Sequence, residues 1–211
     1  IEMAKEAWPA ARWLTMRGYT AYVLTYRLPG EGWQAGGLAP LQDAQRALRL
    51  IRQREAKVSL LGFSAGGHLS GMSACRADFA SYPPIDGVDD TPPRADGAAL
   101  IYPVISLEPP YTHTATHRLL AGPHAAEEVD RAWSVQTWVS GRTPPCFLVQ
   151  AEDDNVSDPH NTLIMAVSIR SRSACIVTPA AVTVLRWAGP VRPASSGPSA
   201  TLRGSRRVSI A

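Results

Sequence analysis

The segment VSLLGFSAGGHLSGMSAC spans residues 58–75 and decides the fold of this 211-residue chain. Its first six residues form a short, continuous apolar run, which is typical of a strand buried on both faces of a parallel sheet. Small residues of helical character follow from 65 to 75. The two parts meet at Gly62–Gly66, so the segment predicts a buried strand that turns sharply into a helix.

The flanking sequence repeats this alternation of helix and strand. Residues 3–17 and 40–54 have the apolar spacing of helices, and the second of these carries one apolar face formed by Leu41, Ala44, Ala47, Leu48 and Ile51. A further helix begins at 159, and strands are predicted at 20–26, 98–106 and 145–154. Parallel strands joined by crossover helices predict the α/β class, with a mostly parallel sheet and helices on both faces.

Charge is divided unevenly along the chain. The formal net charge is +3, but seven of the 21 basic residues lie in 167–211, which contains no acid. The other 166 residues carry 14 basic and 18 acidic groups, a net charge of −4. The basic balance therefore does not indicate a nucleic-acid partner. We expect a domain at 1–166 and a basic tail at 167–211, disordered or read from another frame, with one strand at 181–185.

The sequence carries no signal for a membrane span, a metal or a cofactor. No apolar run reaches the roughly 18 residues that a membrane-spanning helix needs, so no membrane partner is expected. The three cysteines, Cys75, Cys146 and Cys175, have neither metal-ligand nor disulfide spacing. His-Glu-x-x-His, phosphate-binding and dinucleotide-binding motifs are also absent, so we expect no metal and no cofactor. The compartment is not indicated.

The motif that carries chemistry is Gly-x-Ser-x-Gly at Gly62–Gly66. Between a strand and a helix, this motif lifts a serine hydroxyl above the end of the sheet, and its two glycines avoid collisions there. The pattern predicts Ser64 as a nucleophile and the Ala65 N–H as an oxyanion donor, aided by the helix dipole. The alternative is a chance pentapeptide, and the strand–turn–helix context argues against it.

A nucleophilic serine needs a base and an acid that orients the base. Asp153 and Asp154 follow the strand predicted at 145–154, although adjacent acids there also occur as a solvated loop or a helix cap. Only His160 follows the acids, and its place at a helix start six residues beyond Asp154 argues against it as the base. His68 is expected to pack behind the turn. Surface or lid positions are expected for His113, His117 and His124.

These residues resemble the acetylesterase and acetyl-xylan-esterase-like branch of the α/β hydrolases, which is related to bacterial feruloyl esterase domains. The resemblance runs from about Ala4 to Ala166. It is carried by WLTMRGYTAYVLTYRLP (13–29), DAQRALRLIR (43–52), GFSAGGHLS (62–70), IYPVIS (101–106) and TPPCFLVQAEDDNVSDPHN (143–161). The resemblance implies an α/β-hydrolase fold, incomplete in this chain.

The resemblance implies a serine esterase that removes acetyl groups from a carbohydrate, with small esters or acetylated carbohydrates as substrates and no cofactor. Its members are often secreted or periplasmic. Ser64 is then the nucleophile. The family's acid–x–x–Val–Pro pattern favours Asp154 as the acid, but Ser157 and Asp158 replace the Val and Pro and leave Asp153 open. The alternatives are a catalytically inactive fragment or binding module, and a peptidase of the same fold.

Two features of the resembled family are not found in this sequence. One is the Gly-rich oxyanion loop before the first helix, and the other is the Tyr-Pro-x-Gly-Gly-His-Gly-Phe stretch that bears the catalytic histidine. We therefore expect a chain truncated at its N-terminus. Overlapping codons from Cys175 onward permit the shifted reading His-Arg-Tyr-Pro-Arg-Gly-Gly-His-Gly-Phe. A slip of the reading frame between about Ala166 and Cys175 is expected, and the encoding DNA decides it.

Overall fold

The structure, a computed structural model, describes residues 4–172 and two short strands at 182–185 and 206–210. Its helices are α1 (Ala7–Thr15), α2 (Ala39–Arg52), α3 (Ser64–Cys75), α4 (Ala115–Leu120), α5 (Glu127–Trp133) and α6 (His160–Arg172). Its strands are β1 (Tyr19–Val23), β2 (Ser59–Phe63), β3 (Gly97–Ile101), β4 (Cys146–Ala151), β5 (Val182–Leu185) and β6 (Arg206–Ile210). None of the described helices is long and apolar enough to span a bilayer.

The strands form two parallel arrangements. β2, β3, β4 and β5 lie side by side in that order, and β1 pairs separately with β6. In the larger sheet, Phe63 lies opposite Ile101, and Ile101 lies opposite Val149. Because these strands run in the same direction, their carboxyl ends meet at one edge of the sheet. The segments that follow β2, β3 and β4 are therefore neighbours, as the predicted α/β class requires.

The predicted elements are present, and most are shorter than predicted. The predicted face of α2 is buried, except that Ala47 is half-buried. Pro9 lies in the first turn of α1. Proline is tolerated there because the N–H groups of a first turn have no carbonyl partner within the helix, so the missing N–H costs no hydrogen bond. The strand predicted at 98–106 ends at Ile101, because Tyr102 adopts a φ of 37° and Pro103 follows it.

The C-terminal region is described only in part. α6 continues to Arg172, beyond the domain boundary expected at Ala166. β5 matches the strand predicted at 181–185 and pairs with β4, while β6 pairs with β1. The remainder of the expected tail lies outside the described residues, and so does the end of the region of the expected frame slip, at 173–175. The division of the chain into a domain and a tail therefore stays a prediction.

One face of the parallel sheet carries the core. Alternate residues of the central strands are buried there, namely Leu60, Leu100 and Leu148. They pack with side chains from α2, α3 and α6, among them Leu48, Met72 and Met165. Burial of each of these side chains contributes about 1.5–3 kcal/mol to stability. The three helices therefore stay on this face of the sheet.

The opposite face is covered only partly by the residues that the structure describes. α1 packs on it through Ala11 and Leu14, which contact Leu61. A groove beside α1 leaves Trp13 55% exposed and Phe147 45% exposed. Helices thus lie on both faces, as predicted, but within 4–172 the second layer is thinner than the first.

Adjacent residues of β4 are expected to differ in what they contribute to stability. Leu148→Ala should lower the free energy of unfolding by about 2–5 kcal/mol, because it leaves a cavity in the close-packed core. Phe147→Ala should lower it by about 1 kcal/mol at most, since nearly half of Phe147 is already exposed. Urea denaturation followed by circular dichroism measures both changes. Equal losses would contradict the assignment of the two faces.

Candidate active site

Ser64 occupies a sharp turn at the carboxyl end of β2. The strand ends at Phe63, and α3 begins at Ser64 without an intervening loop. Ser64 has a φ of 50°, in the left-handed region that residues other than glycine rarely adopt. Such a conformation costs about 1–3 kcal/mol and persists only where the surroundings hold it in place. The turn has the strained strand-to-helix geometry that the motif predicts.

A close contact between backbones explains the first glycine of the motif, Gly62. A Cβ atom added to Gly62 would collide with the carbonyl group of Gly66 and would lie 2.5 Å from Ser70 Oγ. Any larger residue at Gly62 would therefore push the strand and the helix apart. Gly67 has a similar constraint, because its Cβ would lie 2.9 Å from Pro103 Cβ. The motif indicates Gly62 and Gly66, whereas the need for Gly67 arises from a loop distant in sequence.

Ala65 follows the nucleophile position in the first turn of α3, where amide groups have no carbonyl partner within the helix. The positive end of the helix dipole lies at the same place. Ala65 is exposed, and the turn before it is tied to the segment after β3 by a bond from the Val104 N–H to the Ser64 carbonyl oxygen, at 3.3 Å. These properties suit a donor to an oxyanion.

Asp154 lies in the loop after β4, and its carboxylate is fixed by three donors. Oδ1 accepts the backbone N–H groups of Val156 and Ser157, each at 2.9 Å. Oδ2 accepts the side-chain amide of Gln150, also at 2.9 Å. Asp153 is exposed on the same loop. The geometry therefore favours Asp154 over Asp153 as the acid that orients a base.

Gln150 and Thr162, which the sequence analysis did not single out, hold the acid loop together with Ser157. Gln150 is fully buried, and its amide nitrogen also donates to the Ser157 carbonyl at 2.8 Å. The Gln150 amide oxygen accepts the hydroxyl of Thr162 in α6 at 3.1 Å. Ser157 Oγ donates to the carbonyl of Pro103 at 3.0 Å. The loop is thus tied both to α6 and to the segment after β3. A glutamine within an apolar strand that precedes acids is the signal that indicates such a role.

His160 is not joined to Ser64 and Asp154. Its Nδ1 lies 2.8 Å from Asp158 Oδ1, and its side chain is about two-thirds exposed at the start of α6. All five histidines of the sequence fall within 4–172, and in that range none is hydrogen-bonded to Asp154. The sequence argument against His160 as the base agrees with this placement. The described site has a nucleophile turn and an acid loop, with no base bonded to the acid.

The other histidines fall into two groups. His68 is buried in α3, as predicted, and burial lowers its pKa to about 4, so its ring is neutral at pH 7. His113 and His124 are exposed, in agreement with a surface position. The expectation for His117 was wrong, because His117 is buried and its Nε2 lies 2.7 Å from Asp130 Oδ1. This pair bridges α4 and α5, and no local pattern in the sequence predicts it.

Tyr102 lies at the junction of the turn, the acid strand and the segment before α1. Its N–H donates to the Val149 carbonyl at 2.7 Å, and its ring centroid lies 5.9 Å from that of Phe63. Its hydroxyl donates to Glu6 Oε1 at 2.9 Å. Burial raises the pKa of Tyr102, and the negative charges of Glu6 and Asp154 raise it further. Tyr102 thus stays protonated and able to donate to Glu6.

Residues 4–172 contain no cluster of histidine, cysteine or acidic side chains that could hold a metal ion. Cys75 and Cys146 are not joined in a disulfide, and Cys175 lies outside the described residues. Burial raises the pKa of Cys75 to about 12. The Cys75 thiol is therefore protonated at neutral pH and is not an activated nucleophile.

Comparison with known proteins agrees with this geometry. The profile of the BD-FAE family matches residues 3–167, a span that contains the turn at Ser64, the acid loop and most of α6. The chain belongs to the BD-FAE family. Its parallel sheet and helices are those of an α/β hydrolase, as the sequence predicts, and esterases are among its structural neighbours.

Several relatives of this BD-FAE chain have names that describe their activity. It is 33% identical to endo-1,4-beta-xylanase B of Butyrivibrio fibrisolvens, over 74% of this chain and 25% of that protein. It is 28% identical to the acetylxylan esterase of Xylanibacter ruminicola, over 72% of this chain and 30% of that protein. The acetyl ester-xyloside bifunctional hydrolase of Caldicellulosiruptor lactoaceticus superposes with a TM-score of 0.72 at 31% identity, over 85% of this chain and 65% of that one. The chain thus spans only about a quarter to a third of the two curated relatives.

The strain at Ser64 predicts that the glycine variant is more stable than the alanine variant there, which is the reverse of the usual order within a helix. Ser64→Gly should be more stable than Ser64→Ala by about 1 kcal/mol, because glycine adopts the left-handed conformation without steric cost. Ser73, in the last turn of α3 and without a positive φ, is the matched control. There the glycine variant should be less stable than the alanine variant by about 0.5–1 kcal/mol. Urea unfolding of the four variants measures both differences, and the same order at both positions would count against strain at Ser64.

The buried, neutral His68 makes stability depend on pH. In the unfolded chain a histidine takes up its proton below about pH 6.5, whereas folded His68 does so only below a pKa of about 4. The unfolded state binds more protons in this window, so the free energy of unfolding falls as the pH falls, by on the order of 3 kcal/mol in full.

The variant His68→Gln tests this dependence, because glutamine keeps a side-chain donor and does not titrate. It should flatten the loss of stability between neutral pH and pH 4 in urea titrations. His124→Gln, at an exposed histidine, is the control and should keep the profile of the parent chain. Identical profiles for all three proteins would show that His68 titrates normally.

Proposed function

We propose that this chain carries the nucleophile and the acid of a serine hydrolase of carboxylic esters, and that the ester is an acetyl group on a carbohydrate. The observation that carries the proposal is Ser64 at positive φ at the end of β2, in a site where the Asp154 carboxylate is held by three donors. The names of two relatives, an acetylxylan esterase and an acetyl ester-xyloside bifunctional hydrolase, support it. The substrate is then a small ester or an acetylated carbohydrate.

In the proposed mechanism, Ser64 Oγ attacks the acyl carbon while a histidine oriented by Asp154 removes the hydroxyl proton. The Ala65 N–H stabilises the negative charge that develops on the carbonyl oxygen. The ester C–O bond then breaks, and the alcohol leaves with the proton from the histidine. Water attacks the acyl-enzyme in the second half of the reaction, releases acetic acid and restores the serine hydroxyl.

The base in this mechanism comes from the shifted reading frame. The codons for residues 175–185 permit a Gly-Gly-His-Gly-Phe stretch, with its histidine at the junction of Val182 and Thr183. No histidine within 4–172 is bonded to Asp154, which leaves the place of the base open to such a residue. An intact frame would therefore complete the triad.

The same observation supports a second candidate, a catalytically inactive member of the family. Loss of a triad residue typically lowers the rate by about 10⁴–10⁶. The chain as given would then retain the turn at Ser64 and the acid loop but would not hydrolyse esters at a useful rate. The two candidates differ only in activity, so an assay separates them.

Hydrolysis of p-nitrophenyl acetate by the 211-residue chain, compared with Ser64→Ala, is the deciding measurement. A working esterase should lose at least about 10³ in kcat/KM in the variant, because Ser64 is the attacking group. Equal rates would identify the chain as the inactive form. Activity on acetylated xylo-oligosaccharides but not on peptide substrates would separate an esterase from a peptidase of the same fold.

Two further comparisons make this test sharper. Asp154→Asn should lower kcat strongly, whereas Asp153→Asn, the matched control on the same loop, should change it little. If the encoding DNA contains the Gly-Gly-His-Gly-Phe codons in the +2 frame, a frame-restored protein should gain at least about 10³ in rate over the given chain. DNA without those codons would exclude the frame slip.

A further inference from the structure

A cavity of about 120 Å³ lies beside the turn that carries Ser64. Ala65, the predicted oxyanion donor, lines it. Leu69 and Met72 continue the same wall along α3. The other walls come from segments distant in sequence, represented by Leu28, Leu120 and Trp133. The cavity thus begins at the residue after Ser64, although Ser64 itself does not line it.

The cavity is apolar and uncharged. Among the described residues, no aspartate, glutamate, lysine or arginine lines it, and its polar side chains are those of Tyr26, His68 and Thr116. Burial lowers the pKa of His68 and raises that of Tyr26, so both are neutral at pH 7. His68 Nε2 lies 2.7 Å from the Trp133 carbonyl oxygen, so this ring nitrogen is already engaged. Such a lining suits an alkyl group better than a sugar, whose hydroxyls would lack partners.

The cavity is larger than an acetyl group requires. An apolar cavity of about 150 Å³ is enough for a benzene molecule, so about 120 Å³ has room for roughly five carbon groups. The methyl of an acetyl group fills one of these places, and the alkyl chain of a hexanoyl group fills about five. Each methylene that enters an apolar site strengthens binding by roughly fourfold. The space therefore favours acyl chains longer than acetyl.

We propose that this cavity binds the acyl group of the ester and takes unbranched apolar acyl groups of about four to six carbons more strongly than acetyl, so that acetyl is a substrate but not the acyl group that the cavity binds best. The role of the cavity in catalysis rests on the proposed function of Ser64, but binding of an alkyl chain needs no reaction. The carboxyl carbon lies at the Ala65 N–H, and the alkyl chain runs into the space between α3 and α4. The carbohydrate remains outside the cavity.

Methionine methyl groups provide a direct test, because the three of the four methionines that the structure describes lie in different surroundings. Met72 lines the cavity, Met165 is fully buried elsewhere in the core, and Met16 is 68% exposed. The intact chain, labelled with ¹³C at its methionine methyl groups, is titrated with sodium hexanoate and with sodium acetate. Hexanoate should shift the Met72 resonance saturably and leave Met16 and Met165 unchanged. Acetate at equal concentration should have no saturable effect.

Substitutions in the wall sharpen the test. Leu120→Trp should fill the cavity and weaken hexanoate binding at least tenfold. Leu50→Trp, on the exposed side of α2, is the matched control and should bind as the parent does. Leu120→Ala should enlarge the cavity and strengthen octanoate binding. The Met165 resonance reports whether each variant is folded, so a loss of binding is not confused with a loss of structure.

The outcomes separate this inference from the proposed function. No saturable shift of Met72 with hexanoate would overturn the cavity as an acyl site, as would a stronger response to methyl xyloside. A shift that persists in Ser64→Ala while the chain shows no esterase activity would support the binding site and count against the catalytic proposal. If the chain is active, KM for p-nitrophenyl hexanoate should lie well below that for p-nitrophenyl acetate, and Leu120→Trp should abolish the difference.

Discussion

The close approach of the Gly62 and Gly66 backbones is the constraint on which the candidate site depends. Because β2 and α3 meet there without a loop, the whole change of chain direction is made at Ser64, which adopts the left-handed conformation as a result. The same turn brings the first amides of α3 to the carboxyl edge of the sheet. The positions of the proposed nucleophile, of the proposed oxyanion donor and of one wall of the cavity thus follow from a single backbone contact.

Hydrogen bonds between loops hold the rest of the site to that turn. The segment after β3 bonds to the carbonyl of Ser64 on one side and to the side chain of Ser157 on the other. Gln150 fixes Asp154 from within β4, so the carboxylate is oriented before any base approaches it. Such preorganisation avoids the cost of rearranging dipoles during a reaction. The site is therefore assembled on the acid side even though no described histidine completes it.

Local sequence patterns predicted the helices, the strands and the turn at Ser64. They did not predict the contacts between separate segments of the chain. The apolar run 58–63 and the glycines after it were sufficient for the strand, the turn and the following helix, and the periodicity of 40–54 identified the buried face of α2. The early end of β3 was missed, because the positive φ of Tyr102 has no periodic signature. The burial of His117 and the cavity beside Ala65 were missed for a related reason, since the first depends on how α4 and α5 pack and the second on segments from Tyr26 to Trp133.

The sparsely covered face of the sheet has a consequence for how the molecule behaves in solution. Within 4–172, one face of the sheet is covered by α2, α3 and α6, whereas the other exposes Trp13 and Phe147 to water beside α1. A body of this kind is an amphiphile, and it lowers its free energy by adsorbing to air–water interfaces, plastic or the same face of another copy. Its effective concentration then depends on the vessel and on dilution. Detergent below its micellar concentration, or a carrier protein, would compete for that face and reduce such adsorption.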